Sequence, residues 1–203
     1  MRMNLPNQIT VGRFFLAVIL LALLAGFDLR RHPTDSLILE AAFWIFIVAA
    51  VTDILDGYLA RKQNQVTSFG RVLDPFVDKI LVCGSFILLL GRGFVDDAGQ
   101  NVTGLSAWMV VVIVARELLV SGLRGFNEAA GTPFASNIWG KIKMVVQSVT
   151  VPTILRAVML ADDAGWIDTL RVIMIWSTVG VTAASVFPYL FASRAVLSEQ
   201  SRG

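Results

Sequence analysis

The chain is poor in charge. Of its 203 residues only 16% are Asp, Glu, Lys or Arg and 56% are hydrophobic, where a soluble domain carries about 25% charged residues. The mean hydropathy of +0.71 makes an ordinary soluble domain the wrong frame. There is one cysteine, Cys83, inside an apolar run. A single thiol forms no internal disulfide, so no disulfide framework exists and Cys83 reads as a small core or lipid-facing residue. The net charge is +2 and no basic patch is interleaved with aromatics, which excludes nucleic acid as a partner. Low-complexity tracts, internal repeats and domain-separating linkers are missing too, so 1–203 reads as a single domain. Met1 to Asn7 holds only Arg2 as a charge, and the apolar stretch behind it is longer than a signal-peptide core. It ends in no small-residue cleavage pattern and is expected to be a mature helix, without a transit segment before it.

What is there instead is apolar sequence in blocks of bilayer-spanning length, about 20 residues each. Six are expected, at roughly 9–27, 38–60, 70–92, 104–124, 139–161 and 167–193. They define an all-α integral membrane protein with six transmembrane helices and a short N-terminal interfacial segment, Met1 to Gln8. Loops are expected at 28–37, 61–69 and 125–138. Pro152 and Pro188 lie within apolar blocks and read as kinks. On the side of the N-terminus this threading puts Arg2, Arg13, Arg61, Lys62, Arg71, Lys79, Arg116, Arg124, Lys141, Lys143, Arg194 and Arg202. The other side keeps Arg30, Arg31, Arg92, Arg156 and Arg171, with the acidic pairs Asp96-Asp97 and Asp162-Asp163. Twelve cations against five place both termini in the cytoplasm by the positive-inside rule.

Against this background stand four aspartates: Asp53 and Asp56, then Asp74 and Asp78. A charged side chain in a membrane costs a few kcal/mol on insertion scales, and four acids close together also repel one another. Divalent cations offset both penalties, because hard cations take carboxylate oxygens as ligands. Asp53 and Asp56 are three residues apart and Asp74 and Asp78 four apart, so each pair shares a helix face. A polar stretch from Lys62 to Phe69 reverses the chain between them. Two antiparallel helix ends then present four carboxylates to one gap, the arrangement for two metal ions about 4 Å apart. The alternative is a set of acids snorkelling at the interface. Gly57 and Ala60 clear space beside Asp56, Arg61 suits bidentate pairing with a phosphate, and Gly70 opens the third helix. For the glycines, plain helix packing remains an alternative.

The run Asp53-x2-Asp56-Gly57-x2-Ala60-Arg61-x8-Gly70-x3-Asp74-x3-Asp78 resembles the complete signature of the CDP-alcohol phosphotransferase family. The resemblance implies a six-helix membrane fold, a homodimer and a site at the cytoplasmic side holding two Mg2+ or Mn2+ ions. It implies transfer of a phosphatidyl-type group from a CDP-lipid to an alcohol, with release of CMP. Asp53, Asp56 and Asp74 would be metal ligands and Asp78 both ligand and general base. Asp56, Gly57, Ala60, Arg61 and Gly70 would line the nucleotide site. A bacterial inner membrane is the expected location.

The acceptor has to be read elsewhere. Arg116, Arg124, Lys141 and Lys143 fall on the fourth and fifth segments toward the aspartates' side. Four cations facing a metal site favour an acceptor with its own phosphate. Glu117 pairing with Arg116, and snorkelling of the lysines, are the plainer alternatives. Arg13, one turn beyond Thr10, is expected to reach the polar cavity and touch the acceptor or a lipid phosphate, or else to snorkel. Further stretches resemble the branch of the family that uses CDP-diacylglycerol and sn-glycerol 3-phosphate to make phosphatidylglycerol phosphate. They are Asn4 to Thr10 with Arg13, Asp74-Pro75, Ala115-Arg116-Glu117, Ser121 to Arg124, and Gly140 to Lys143 with Gln147. Gly125 and Met144 depart from that pattern, where an acid and a threonine often stand. The last two helices are apolar and add little to this resemblance. An inositol-phosphate acceptor, a bulky anionic lipid acceptor and, from another class, a divalent-cation transporter remain as rivals.

Overall fold

In hydrocarbon a backbone satisfies its own hydrogen bonds only as helix or closed barrel, and each of the six apolar blocks becomes one helix. The computed structural model describes residues 5–32, 37–63, 68–129, 138–160 and 165–189; side chains 5–7, 54, 56–63, 68–72 and 129 lie outside the description. The helices are α1 (Leu5–Gly26), α2 (Leu37–Gln63), α3 (Ser68–Leu89), α4 (Ala107–Ala129), α5 (Ile138–Met159) and α6 (Gly165–Ala184). Among the described residues the only β pairing is an isolated bridge between Val95 and Asn101.

Several boundaries differ from the expected ones. α1 starts at Leu5, so residues 5–8 of the expected interfacial segment form its first turn. Pro6 sits there without loss, since first-turn N–H groups have no helical acceptor. α2 runs to Gln63 and α3 starts at Ser68, which shortens the expected loop at 61–69. α4 continues to Ala129 because Gly122 and Gly125 do not end a helix whose neighbours are good helix formers. α6 stops at Ala184, well short of 193. Pro188, four residues on, has no N–H for the Ala184 carbonyl and its ring would collide with it. The chain turns at Ser185 and Val186 instead. Pro152, by contrast, is buried inside α5 and does not end it.

α1 packs on α2 and α3, α5 on α6, and α4 bridges α3 and α6. Leu20, Leu24, Phe46, Phe86, Leu89, Ile113, Ile154 and Leu155 form one core among them. The seam between α5 and α6 is polar: the Gln147 amide donates to Thr182 Oγ1 (3.2 Å), and the hydroxyls of Thr150 and Thr178 pair at 2.7 Å. Interhelical bonds of this kind contribute about 0.6 kcal/mol each in membranes. The outside is apolar. Phe15, Ile19, Val48, Phe76, Ile87, Val111, Leu118 and Ile173 are all exposed, with Trp108 and Trp166 near the starts of α4 and α6 and Trp139 near that of α5. Such a surface suits lipid, and tryptophans near helix ends suit the interface. Three stretches, Gln8–Gly26, Ile138–Met159 and Gly165–Tyr189, are long and apolar enough to cross a membrane by composition alone. The other three helices carry the aspartates or, in α4, Arg116, Glu117 and Arg124.

The bundle end away from the aspartates is closed by the segment between α3 and α4. Its short 3-10 turn, Arg92–Phe94, places Phe94 against Phe27, with ring centroids 5.0 Å apart. Leu29 N–H donates to the Gly93 carbonyl at 2.8 Å. A Cβ at position 93 would run into the Phe27 carbonyl, whereas one at Gly84 would meet only the movable end of Leu21, at 2.8 Å. Gly93→Ala is therefore expected to cost about 1–3 kcal/mol through overpacking against backbone, and Gly84→Ala less. Unfolding of both variants in detergent checks the order; equal losses would show that the Gly93 contact has room to give.

Candidate active site

Helix periodicity puts Thr10 and Arg13 on one face of α1, and Asp74 and Asp78 on one face of α3. α1 lies across α2 and α3, so these faces meet. Arg13 has no exposed side-chain surface and forms an ion pair with Asp53 of α2. Its Nη2 lies 3.5 Å from Oδ1 of both Asp74 and Asp78. Thr10 Oγ1 donates to Asp74 Oδ1 at 2.7 Å. One buried guanidinium thus gathers three carboxylates from two helices. The acids are the more open side: Asp53 is 17% exposed, Asp78 37% and Asp74 44%. Arg13 lies beneath the carboxylates, on their buried side.

A second cluster forms where α4, α5 and the end of α6 meet. Arg116 and Glu117 are both buried. Glu117 Oε1 accepts from Arg116 Nη1 at 3.2 Å and from Lys143 Nζ at 2.5 Å. Arg116 Nε donates to Ser185 Oγ at 2.8 Å, and Arg124 Nη2 donates to the Tyr189 hydroxyl at 2.8 Å. α3, which carries Asp74 and Asp78, packs against both α4 and α5, the helices of the cationic cluster.

The structure therefore brings together Asp53, Asp74, Asp78 and Arg13 in one group, and Arg116, Lys143 and Arg124 in an adjoining one. Arg13, expected to reach toward an acceptor or lipid phosphate, is placed against the aspartates. Lys141 is on an exposed part of α5. Asp56, Gly57, Ala60, Arg61 and Gly70 fall outside the described side chains. Sequence reasoning passed over three participants: Thr10, Ser185 and Tyr189. Thr10 had a signal, its helical spacing from Arg13; Tyr189 had only its place beside Pro188.

Carboxylate oxygens are the ligands a hard divalent cation takes, but in this arrangement the positive charge they meet is the Arg13 guanidinium. Among the described residues, no group of three or more Asp, Glu, His or Cys side chains closes into a metal cage.

An all-helical membrane protein that sets acids beside cations has the means to bring anionic groups together. Over residues 3–184 the chain matches the CDP-alcohol phosphatidyltransferase family, and it belongs to that family. It is 39% identical over 157 residues to the CDP-diacylglycerol–glycerol-3-phosphate 3-phosphatidyltransferase of Bacillus subtilis, across 75% of this chain and 76% of the relative. The protein of the same name from Rickettsia felis is 31% identical over 191 residues, 94% of this chain and 96% of the relative. That from Shigella flexneri is 30% identical over 206 residues, 98% of this chain and all of the relative.

Removing one partner of a buried ion pair costs about 3–5 kcal/mol. Because Asp74 and Asp78 retain access to solvent, Arg13→Met is expected at the lower end, about 3 kcal/mol, and Arg13→Lys at less. Thermal unfolding in detergent with EDTA checks this. An unchanged midpoint in Arg13→Met would show that the guanidinium does not hold the carboxylates.

Proposed function

We propose that this protein transfers the phosphatidyl group of CDP-diacylglycerol to sn-glycerol 3-phosphate, giving phosphatidylglycerol phosphate and CMP. The observation that carries the reading is the juxtaposition at one end of the bundle: three carboxylates from α2 and α3 gathered at Arg13, next to a cationic cluster ordered by Glu117. The names of the relatives agree with it.

Asp53, Asp56, Asp74 and Asp78 would hold two Mg2+ or Mn2+ ions. Bound there, such ions neutralise the diphosphate and stabilise the leaving CMP. The chain's own residues do the rest. Asp78, open to solvent on one side, accepts the proton of the acceptor hydroxyl. The oxygen so freed bonds to the phosphorus nearer the lipid, and the bond from that phosphorus to the bridging oxygen breaks. CMP leaves with the bridging oxygen. Gly57, Ala60, Arg61 and Gly70 line the nucleotide. Arg116, Arg124 and Lys143, with Lys141 at the rim, hold the acceptor's phosphate; Glu117 cancels one of these charges and leaves an excess for a phosphate monoester. Arg13 keeps the carboxylates converged.

The excess of cations on the aspartates' side supports a site and both termini on the cytoplasmic face; the membrane is read as a bacterial inner membrane and the protein as a homodimer. A site at the membrane surface lets the acyl chains of the donor stay in lipid while a soluble acceptor enters from water.

The test is CMP release by purified protein given CDP-diacylglycerol, Mg2+ or Mn2+, and either glycerol 3-phosphate or inositol phosphate. Release with glycerol 3-phosphate alone is expected; release with inositol phosphate alone would overturn the acceptor assignment. Loss of a general base costs about 10²–10⁴-fold, so Asp78→Asn is expected to lose transfer by at least that factor and still bind CDP-diacylglycerol. Near-normal turnover in that variant would move the base elsewhere.

A further inference from the structure

The cationic cluster has a member from outside its helices. α6 ends at Ala184, the chain turns at Ser185 and Val186, and residues 187–189 are helical again, which sets Tyr189 against α4. Tyr189 is 2% exposed and Ser185 fully buried. The Tyr189 ring has the Arg116 guanidinium 5.7 Å from its centroid and that of Arg124 at 5.5 Å. These arginines are eight residues apart on α4, about 12 Å along a helix axis, so both side chains lean toward the one ring. Like charges left to themselves would diverge into solvent, and the negative face of an aromatic ring is what holds a guanidinium beside it. The phenol oxygen fixes Arg124 by accepting from Nη2, and the Ser185 hydroxyl fixes Arg116 by accepting from Nε. The first turn of α5 closes against the same phenol: a Cβ at Gly140 would sit 3.2 Å from the hydroxyl and 3.9 Å from Arg124 Nη2. The hydroxyl therefore lies at the junction of α4, α5 and the end of α6, beside Gly140, which precedes Lys141 by one residue and Lys143 by three.

We propose that the end of α6 is a positioning element for the acceptor site, in which Tyr189 aims Arg116 and Arg124 at the acceptor's phosphate and Ser185 assists through Arg116. This rests on the reading of the cationic cluster as the acceptor site. Tyr189 does its work through the arginines and takes no part in the bond changes, so its loss weakens acceptor binding and spares the chemical step.

The experiment is steady-state kinetics on Tyr189→Phe, Arg124→Gln and the double variant in the full-length protein, with the glycerol 3-phosphate concentration varied and unfolding followed in parallel. Tyr189→Phe removes one hydroxyl and keeps the ring. It is expected to raise the KM for glycerol 3-phosphate about tenfold, the scale of a hydrogen bond to a charged group. The kcat and the KM for CDP-diacylglycerol are expected to stay as they were. Arg124→Gln is expected to raise the acceptor KM at least as much, and the double variant to be no worse than Arg124→Gln alone, because the hydroxyl acts through that side chain. A wild-type acceptor KM in Tyr189→Phe overturns the proposal, as does full additivity in the double variant. A wild-type acceptor KM in Arg124→Gln removes instead the acceptor reading of the cluster. If Tyr189→Phe proves unstable, Ser185→Ala supplies the same comparison through Arg116: a raised acceptor KM supports the positioning role and an unchanged one overturns it.

Discussion

A guanidinium with no exposed surface, set among three carboxylates, is the constraint on which the rest of this structure depends. Neither sign of charge is tolerated alone in a membrane interior, and each is tolerated beside the other. Arg13 therefore fixes the crossing of α1 over α2 and α3, because only there do Asp53, Asp74 and Asp78 all reach it. Thr10 sets the rotation of α1 about its own axis through its bond to Asp74. With that crossing fixed, the carboxylates keep an open side while Arg13 is sealed.

The adjoining cluster solves the opposite problem, an excess of positive charge. Glu117 answers Arg116 and Lys143 at once, and the hydroxyls of Ser185 and Tyr189 receive donors that Glu117 does not reach. Three different helices are tied together by this arrangement at the end of the bundle where the polar seam between α5 and α6 also finishes. The site is thus two polar assemblies of opposite sign held at one end of an otherwise apolar body, which is what transfer between two phosphate-bearing molecules needs.

Much of this was legible in the chain. Six apolar blocks announced six helices, and the spacing of Asp74 and Asp78 announced a shared face. The partner of Arg13 was not legible, because α1 is apolar nearly all round and does not say which side faces inward. The contacts that settle it span 40 residues for Asp53 and 64 for Thr10 with Asp74. Ser185 and Tyr189 were hidden for a similar reason. Pro188 reads in the sequence as a kink within an apolar block, but nothing local says that the residues around it meet arginines 65 and 69 positions earlier. Both ends of α2, the start of α3 and the end of α4 moved outward because helices with satisfied neighbours continue past the apolar stretch that first reveals them.

The order of these groups along the chain has a consequence for how the protein is made. Everything described at the acidic assembly lies between Thr10 and Asp78, so it is complete once three helices have left the ribosome and entered the bilayer. The cationic assembly draws on residues from Arg116 to Tyr189 and waits for the final helix to arrive. During synthesis the membrane therefore holds a half-built enzyme whose acids already meet Arg13, while the cationic cluster is completed only when Ser185 and Tyr189 arrive.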